Sequence, residues 1–399
     1  MASHFDDKTL MAKSRRSISR IISDRGPAAY FHGRTQILHD FEDLLGRTKK
    51  GVNGTTFLIQ GAPGVGKTAL LDQCGKLACG KGWHVAKIKT DALWDKGKML
   101  RSLGFGEMAG IDSVSLSLLE AFKAEVSLSK PARSTTNLNV GEKRKRKPLL
   151  LVLDEAQRLS KATALSKTQF DEVGDLLEAI HNGELNKPVI LLVAGLGTTS
   201  KAFRSLGISR FRGGCFVELG ALDKGAERAV IQDWLVKEGE AKGNPAEWID
   251  AIAQKTHGWP QHITAYAETA VKQIQKDKGK MTPAGLIVVY KLGEEGREAY
   301  YKQRAEDISR KERCSLARLM KNVATQDGLD QEDIEAALSQ EYGPDKAQDL
   351  FNRALDRGIL HSQDGIYTIP IPSMRNWLKE KYAPEKIVFS QQSQISEKL

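Results

Sequence analysis

Eight consecutive residues, Gly61, Ala62, Pro63, Gly64, Val65, Gly66, Lys67 and Thr68, follow the spacing Gly-x-x-x-x-Gly-Lys-Ser/Thr. These residue types suit the grip of a nucleotide polyphosphate. Glycines let successive backbone N–H groups turn inward around a phosphate, and a helix starting here adds partial positive charge. Lys67 can reach the β- and γ-phosphates, the Thr68 hydroxyl can ligate Mg²⁺, and Ala69 continues the same helix start. A second pair stands downstream, where the apolar run Leu149 to Leu153 ends in Asp154 and Glu155. Asp154 can hold the Mg²⁺ shell, and Glu155 can polarise an attacking water as a general base.

These groups work only if particular elements bring them together. Phe57 to Gln60 has the composition of a short buried strand ahead of the glycine loop, and Thr68 onward has helical spacing. Leu149 to Leu153 is continuously apolar, as expected of a parallel strand covered on both faces. Further strands are expected at Trp83 to Lys89, Val189 to Ala194 and Cys215 to Gly220. Between two of them, Gln169 to His181 puts Phe170, Val173, Leu176, Leu177 and Ile180 on one helical face. The alternation predicts an α/β fold with the parallel sheet of a P-loop NTPase.

A chain of 399 residues predicts two or three domains. Its longest apolar runs fall far short of the ~20 residues of a membrane helix, so no membrane association is expected. The first residues lack an apolar signal core. Cys74, Cys79, Cys215 and Cys314 form no CxxC pair and no cluster with histidine, which argues against a disulfide framework or a zinc site. Cys74 and Cys79 are expected to pack against the core. These features together predict a cytoplasmic location.

The net charge of +10 is unevenly spread. Between Lys123 and Pro148 eight Lys and Arg residues face two acids. Ser127 to Lys147 lacks apolar periodicity and predicts a flexible loop before the Asp154 strand. The loop ends in Lys143, Arg144, Lys145, Arg146 and Lys147, which either track a nucleic-acid backbone or simply keep a loop solvated. Near the start, Arg15, Arg16 and Arg20 flank Ile18, Ile21 and Ile22 in a short basic amphipathic pattern. Such a helix could touch a neighbouring subunit, DNA or a partner protein.

The motif order resembles the AAA+ and STAND side of the P-loop ATPases. It comprises FHGR (31–34), the glycine loop, LDEAQ (153–157), AGLG (194–197), SRFR (209–212), ALDKGAERAVIQDWL (221–235) and HGWPQHI (257–263). The chain is most similar to the bacterial ExeA/TniB-type ATPases and to origin-recognition ATPases, over roughly residues 28–385. The resemblance implies ATP and Mg²⁺ as cofactors, with Gly33 and Arg34 shaping the entrance of an adenine pocket. Thr198, the polar residue after the third strand, would sense the γ-phosphate. Arg210 or Arg212 would serve as an arginine finger toward a neighbouring subunit's nucleotide, the alternative being a solvated surface pair. Pro260, in the Gly258-Trp259-Pro260 turn of a helical lid, would belong to the nucleotide site. ExeA-like relatives carry an arginine directly after that proline, where this chain has Gln261. STAND relatives lack that arginine too, which implies a slow, switch-like ATPase.

The predicted organisation is a basic arm (1–27), an AAA+-like ATPase domain (28–221, with the basic insertion at 127–147), a helical lid (222–309), a C-terminal module (310–387) and a tail (388–399). The module's three short helices, its strand pair around Asp364-Gly365 and its terminal helix look like a winged helix. From Ser309 to Ile387 it carries 12 Lys/Arg and 13 Asp/Glu, so protein docking competes with DNA binding as its task. Arg310, Lys311, Arg313 and Arg318 supply a local basic edge. The expected function is an ATP-dependent switch that forms a homo-oligomeric ring or filament, with duplex DNA open as a partner, and recruits an effector such as a transposase or nuclease. A STAND-type regulator held as an ADP-bound monomer and a replication or plasmid initiator are the alternatives.

Overall fold

The computed structural model describes residues 30–50, 56–90, 147–159, 167–185, 188–208, 214–322, 328–363 and 365–383, with isolated positions 93, 95 and 211. The chain divides into two compact units, Met1–Arg297 and Glu298–Leu399.

The first unit is built on five parallel strands, β1 (Thr56–Gly61), β2 (His84–Lys89), β3 (Leu149–Asp154), β4 (Val189–Gly195) and β5 (Phe216–Leu219), in the order β2-β3-β4-β1-β5. The three inner strands are almost wholly buried, which is why β3 and β4 are apolar nearly throughout and β1 is apolar from Phe57 to Ile59. The two edge strands are more exposed: β2 alternates toward its end, and Phe216 of β5 faces solvent. Helices α1 (Thr35–Lys49), α2 (Lys67–Gly80), α3 (Lys167–Asn182) and α4 (Thr199–Ser205) accompany the sheet. Val173, Leu176, Leu177 and Ile180 of α3 join Leu149, Leu151, Leu191 and Val193 in one core. The expected parallel sheet is present, and the register pairs Gln60 with Gly195 at the carboxyl ends of β1 and β4. Those ends are where ligands of open parallel sheets bind.

A helical layer follows, with α5 (Lys224–Asp233), α6 (Ala246–Thr256) and α7 (Pro260–Lys276), packed around Ile231, Leu235, Ile252, Ile263, Tyr266 and Ile274. Asp223 caps α5 by accepting from the Ala226 amide at 2.8 Å, and Pro260 takes the first position of α7. The helix from Lys224 does not run uniformly to Gly239, because Trp234–Glu238 forms a π-turn. Trp234, at the start of this π-turn, is partly buried and packs against the same core. Gly239 ends the turn at an ordinary negative φ; a Cβ there would lie 2.6 Å from the Leu235 carbonyl. Helix α8 (Pro283–Arg304) completes this layer and continues into the second unit.

The second unit contains α9 (Arg310–Asn322), α10 (Gln331–Tyr342), α11 (Pro344–Asp356), the antiparallel pair β6 (His361–Gln363) and β7 (Ile366–Thr368), and α12 (Pro372–Tyr382). Leu329 adds a bridge to Tyr367 of β7. Arg313 donates to the Ile308 and Ala305 carbonyls and to the Tyr382 hydroxyl, and Arg318 pairs with Glu341 at 2.8 Å. Lys311 Nζ lies 4.0 Å from Glu341 and 5.0 Å from the Tyr342 ring centroid, so three of the four residues of the expected basic edge are engaged within the unit. Cys74 is buried, its thiol pushed up to about 12 by desolvation, whereas Cys79 is exposed rather than packed in the core. Among the described residues no helix is long and apolar enough to cross a membrane.

Candidate nucleotide-binding site

The glycine loop leaves the end of β1 and turns directly into α2. Gly64 and Gly66 sit at φ 76° and 98°, left-handed conformations that allow the backbone to curl into a cradle at the helix N-terminus. Lys67 lies along this cradle, its Nζ donating to the Gly61 and Ala62 carbonyls at 2.8 and 2.9 Å. One residue on, the Thr68 hydroxyl donates to Asp154 Oδ2 at 2.8 Å. The two Mg²⁺ candidates, 86 positions apart in the chain, are thus in direct contact. A hydroxyl and a carboxylate are hard oxygen donors, and Mg²⁺ bound with phosphates needs only one or two such protein ligands. The donor set therefore fits Mg²⁺, which Thr68 and Asp154 would hold.

Asp154 is held from two further sides. The Glu155 amide donates to its Oδ1 at 2.9 Å, and the Thr90 hydroxyl, just beyond β2, donates to its carbonyl at 2.9 Å. Glu155 adopts φ 58°, an uncommon conformation for a residue with a side chain. Its Oε2 accepts from Gln157 Nε2 at 2.6 Å. Asp72, one turn along α2 from Thr68, is buried; desolvation, with Asp154 nearby, raises its carboxyl above the usual range.

On the other side of the loop a pocket opens between the sheet and the helical layer. Tyr30, Phe31, His32 and Arg34 form one wall, Val65, Gly66 and Ala69 its floor, and Val230, Trp234, Pro260 and Thr264 the opposite wall. Tyr30 meets Trp234 edge-to-face with centroids 5.7 Å apart, and His32 Nε2 lies 2.8 Å from Asp233 Oδ2. An apolar, partly aromatic slot beside a phosphate cradle suits a purine base. Gly33 sits behind the wall at φ 76°, where a Cβ would come 2.8 Å from Ala226 Cβ. Arg34 Nη2 donates to the Gly220 carbonyl, and burial lowers its guanidinium below the ordinary value. Arg34 thus ties the pocket entrance to the end of β5.

The helical layer touches the cradle itself. The Gln261 amide, at the start of α7, donates to the Gly64 carbonyl at 3.1 Å. Pro260 is positioned from behind by buried Glu227, which accepts from the Gly258 amide and the Thr256 hydroxyl at 2.5 and 2.6 Å. Thr198 precedes α4 in the turn after β4 and is half-buried. That turn is gripped twice: Gln157 Oε1 accepts from the Leu196 amide and Gln60 Oε1 from the Ser200 amide, both at 3.1 Å.

The structure therefore brings Lys67, Thr68, Asp154 and Glu155 together, and gathers Arg34, Val65, Gly66, Ala69 and Pro260 around the adjoining pocket. Lys147 is exposed ahead of β3. Arg210, Arg212, Lys143, Arg144, Lys145 and Arg146 lie outside the described residues. Sequence reasoning missed the Tyr30–Trp234 pair, Thr90, Glu227 and the two glutamines. Only Gln157, inside LDEAQ, carried a signal that could have drawn notice.

Residues 30–168 match the family model of the AAA ATPase domain. No curated protein matches the chain. Among solved structures, a Walker-type ATPase of Pyrococcus abyssi superposes with a TM-score of 0.58 at 13% identity, covering 90% of this chain and 99% of that one. The ORC2 protein of Aeropyrum pernix, solved in ADPNP-ADP complexes, superposes with a TM-score of 0.54 at 15% identity, covering 91% and 98%. At such identities the likeness speaks for the fold. The fold is that of a P-loop NTPase, and residues 30–168 are similar to the AAA ATPase domain.

Proposed function

We propose that this chain is an ATP-binding and ATP-hydrolysing switch that assembles with further copies of itself when ATP is bound, and does so on duplex DNA. The observation that carries the reading is the Thr68–Asp154 contact at 2.8 Å, with Lys67 in the cradle and Glu155 next in sequence. Bound Mg²⁺ would neutralise charge on the phosphates. Lys67 would bind the β- and γ-phosphates, Thr68 and Asp154 would hold the ion, and Glu155 would accept a proton from the attacking water. The purine would lie in the Tyr30–Trp234 slot, beside Pro260.

Because α7 bonds to the cradle through Gln261 and Gly64, a change at the phosphates would move the lid. Thr198 would sense the γ-phosphate, and Arg210 or Arg212 would act across a subunit interface. Lys143 to Lys147 would follow the DNA backbone, with repetition in an assembly supplying the affinity that one loop lacks. The second unit would act as a winged helix that docks an effector such as a transposase or nuclease. A second reading, a STAND-type regulator resting as an ADP-bound monomer, is favoured by one feature, the glutamine at position 261.

ATPase rate and particle size, measured with and without duplex DNA, separate the two. Stimulation of turnover together with ATP-dependent assembly is the expected result. Indifference to DNA with a monomer throughout would replace the first reading by the second.

A further inference from the structure

We propose that Gln157 is the positioning residue of Glu155, coupling its carboxylate to the turn after β4. This rests on the assignment of Glu155 as general base in the proposed function.

Gln157 is 6% exposed, and both ends of its amide are used. Nε2 donates to Glu155 Oε2 at 2.6 Å, and Oε1 accepts from the Leu196 amide at 3.1 Å. The second bond fixes the first. A backbone N–H can meet only the amide oxygen, so the NH₂ group must face the carboxylate, and a flipped amide would oppose oxygen to oxygen. A neutral donor on Oε2 orients the carboxylate without neutralising its charge.

The far end is equally constrained. The Leu196 carbonyl accepts from both the hydroxyl and the amide of Thr199, at 2.7 and 2.9 Å, and Thr199 is fully buried. Gly195 must lack a side chain: a Cβ would stand 2.0 Å from Thr199 Oγ1 and 2.8 Å from Gln157 Oε1. A displacement of the turn holding Leu196 and Thr198 is therefore transmitted through one rigid amide to Glu155. Glu155 itself, held at φ 58°, depends on its neighbours to keep that conformation.

The test compares Mg-ATP turnover and ATP binding by the full-length wild type, Gln157→Leu, Gln157→Asn, Glu155→Gln and the double variant Glu155→Gln/Gln157→Leu. Leucine keeps the volume without either bond, and asparagine is too short to span both partners, so one of them serves if the other fails to fold. The expected result is a kcat about ten- to a hundredfold lower with KM and ATP affinity unchanged. In the Glu155→Gln background the second substitution should add no further loss. Wild-type turnover in Gln157→Leu, or losses that multiply in the double variant, would overturn the proposal alone. A wild type that binds ATP but never hydrolyses it would overturn the reading of Glu155 as well.

Discussion

Acidification should lower the stability of the fold through His262. This imidazole is fully buried in α7, one residue past Gln261, and its pKa is pushed down to about 3 by desolvation, with Arg297 and His257 adding positive charge nearby. In the folded protein it is neutral, whereas in the unfolded chain it titrates near 6.5. Between those values the unfolded chain binds more protons, so stability falls as pH drops below about 6.5. At pH 5.0 the shift from 6.5 to 3 corresponds to a loss of about 2 kcal/mol from this group alone. Urea unfolding of the wild type and of His262→Phe, followed by tryptophan fluorescence between pH 7.5 and 5.0, measures the difference in slope. His262 should contribute nothing to the pH dependence of ATP affinity over this range, because the buried imidazole stays neutral in the folded protein. Equal pH slopes of stability in the two proteins would refute the reasoning.

Two substitutions test other parts of the site. Glu227→Ala leaves the buried Gly258 amide without its acceptor and the Thr256 hydroxyl with only the Ile252 carbonyl at 3.2 Å, a cost of about 1–3 kcal/mol. ATP affinity measured by fluorescence titration should drop with it, since Pro260 loses its support. Asp72→Asn should raise the melting temperature by a few degrees at pH 8. An acid whose folded pKa is raised costs stability once ionised, so the gain should shrink to nothing near pH 4, as differential scanning calorimetry would show.

The inner strands and the phosphate cradle were legible in the sequence because each has a strong local cause. Leu149–Leu153 and Val189–Ala194 are apolar on both faces since the strands are covered on both, and the cradle needs glycine where φ is positive. Glu227 looks like an ordinary surface acid on α5, and nothing local announces that the Gly258 turn will fold over it. Gln60 and Gln157 gain meaning only from the register that places the ends of β1 and β3 beside the β4 turn. Cys79, five residues after Cys74, turns outward because that spacing puts it on a different part of α2.

The most direct measurement is release of phosphate from Mg-ATP by three proteins, wild type, Lys67→Ala and Glu155→Gln, alongside their ATP affinity. Slow turnover is predicted for the wild type, loss of binding and turnover for Lys67→Ala, and retained binding with turnover reduced about a hundredfold or more for Glu155→Gln. Undiminished hydrolysis by Lys67→Ala, or by Glu155→Gln, would contradict the assignment of the cradle and of the β3 end as the nucleotide-hydrolysing centre.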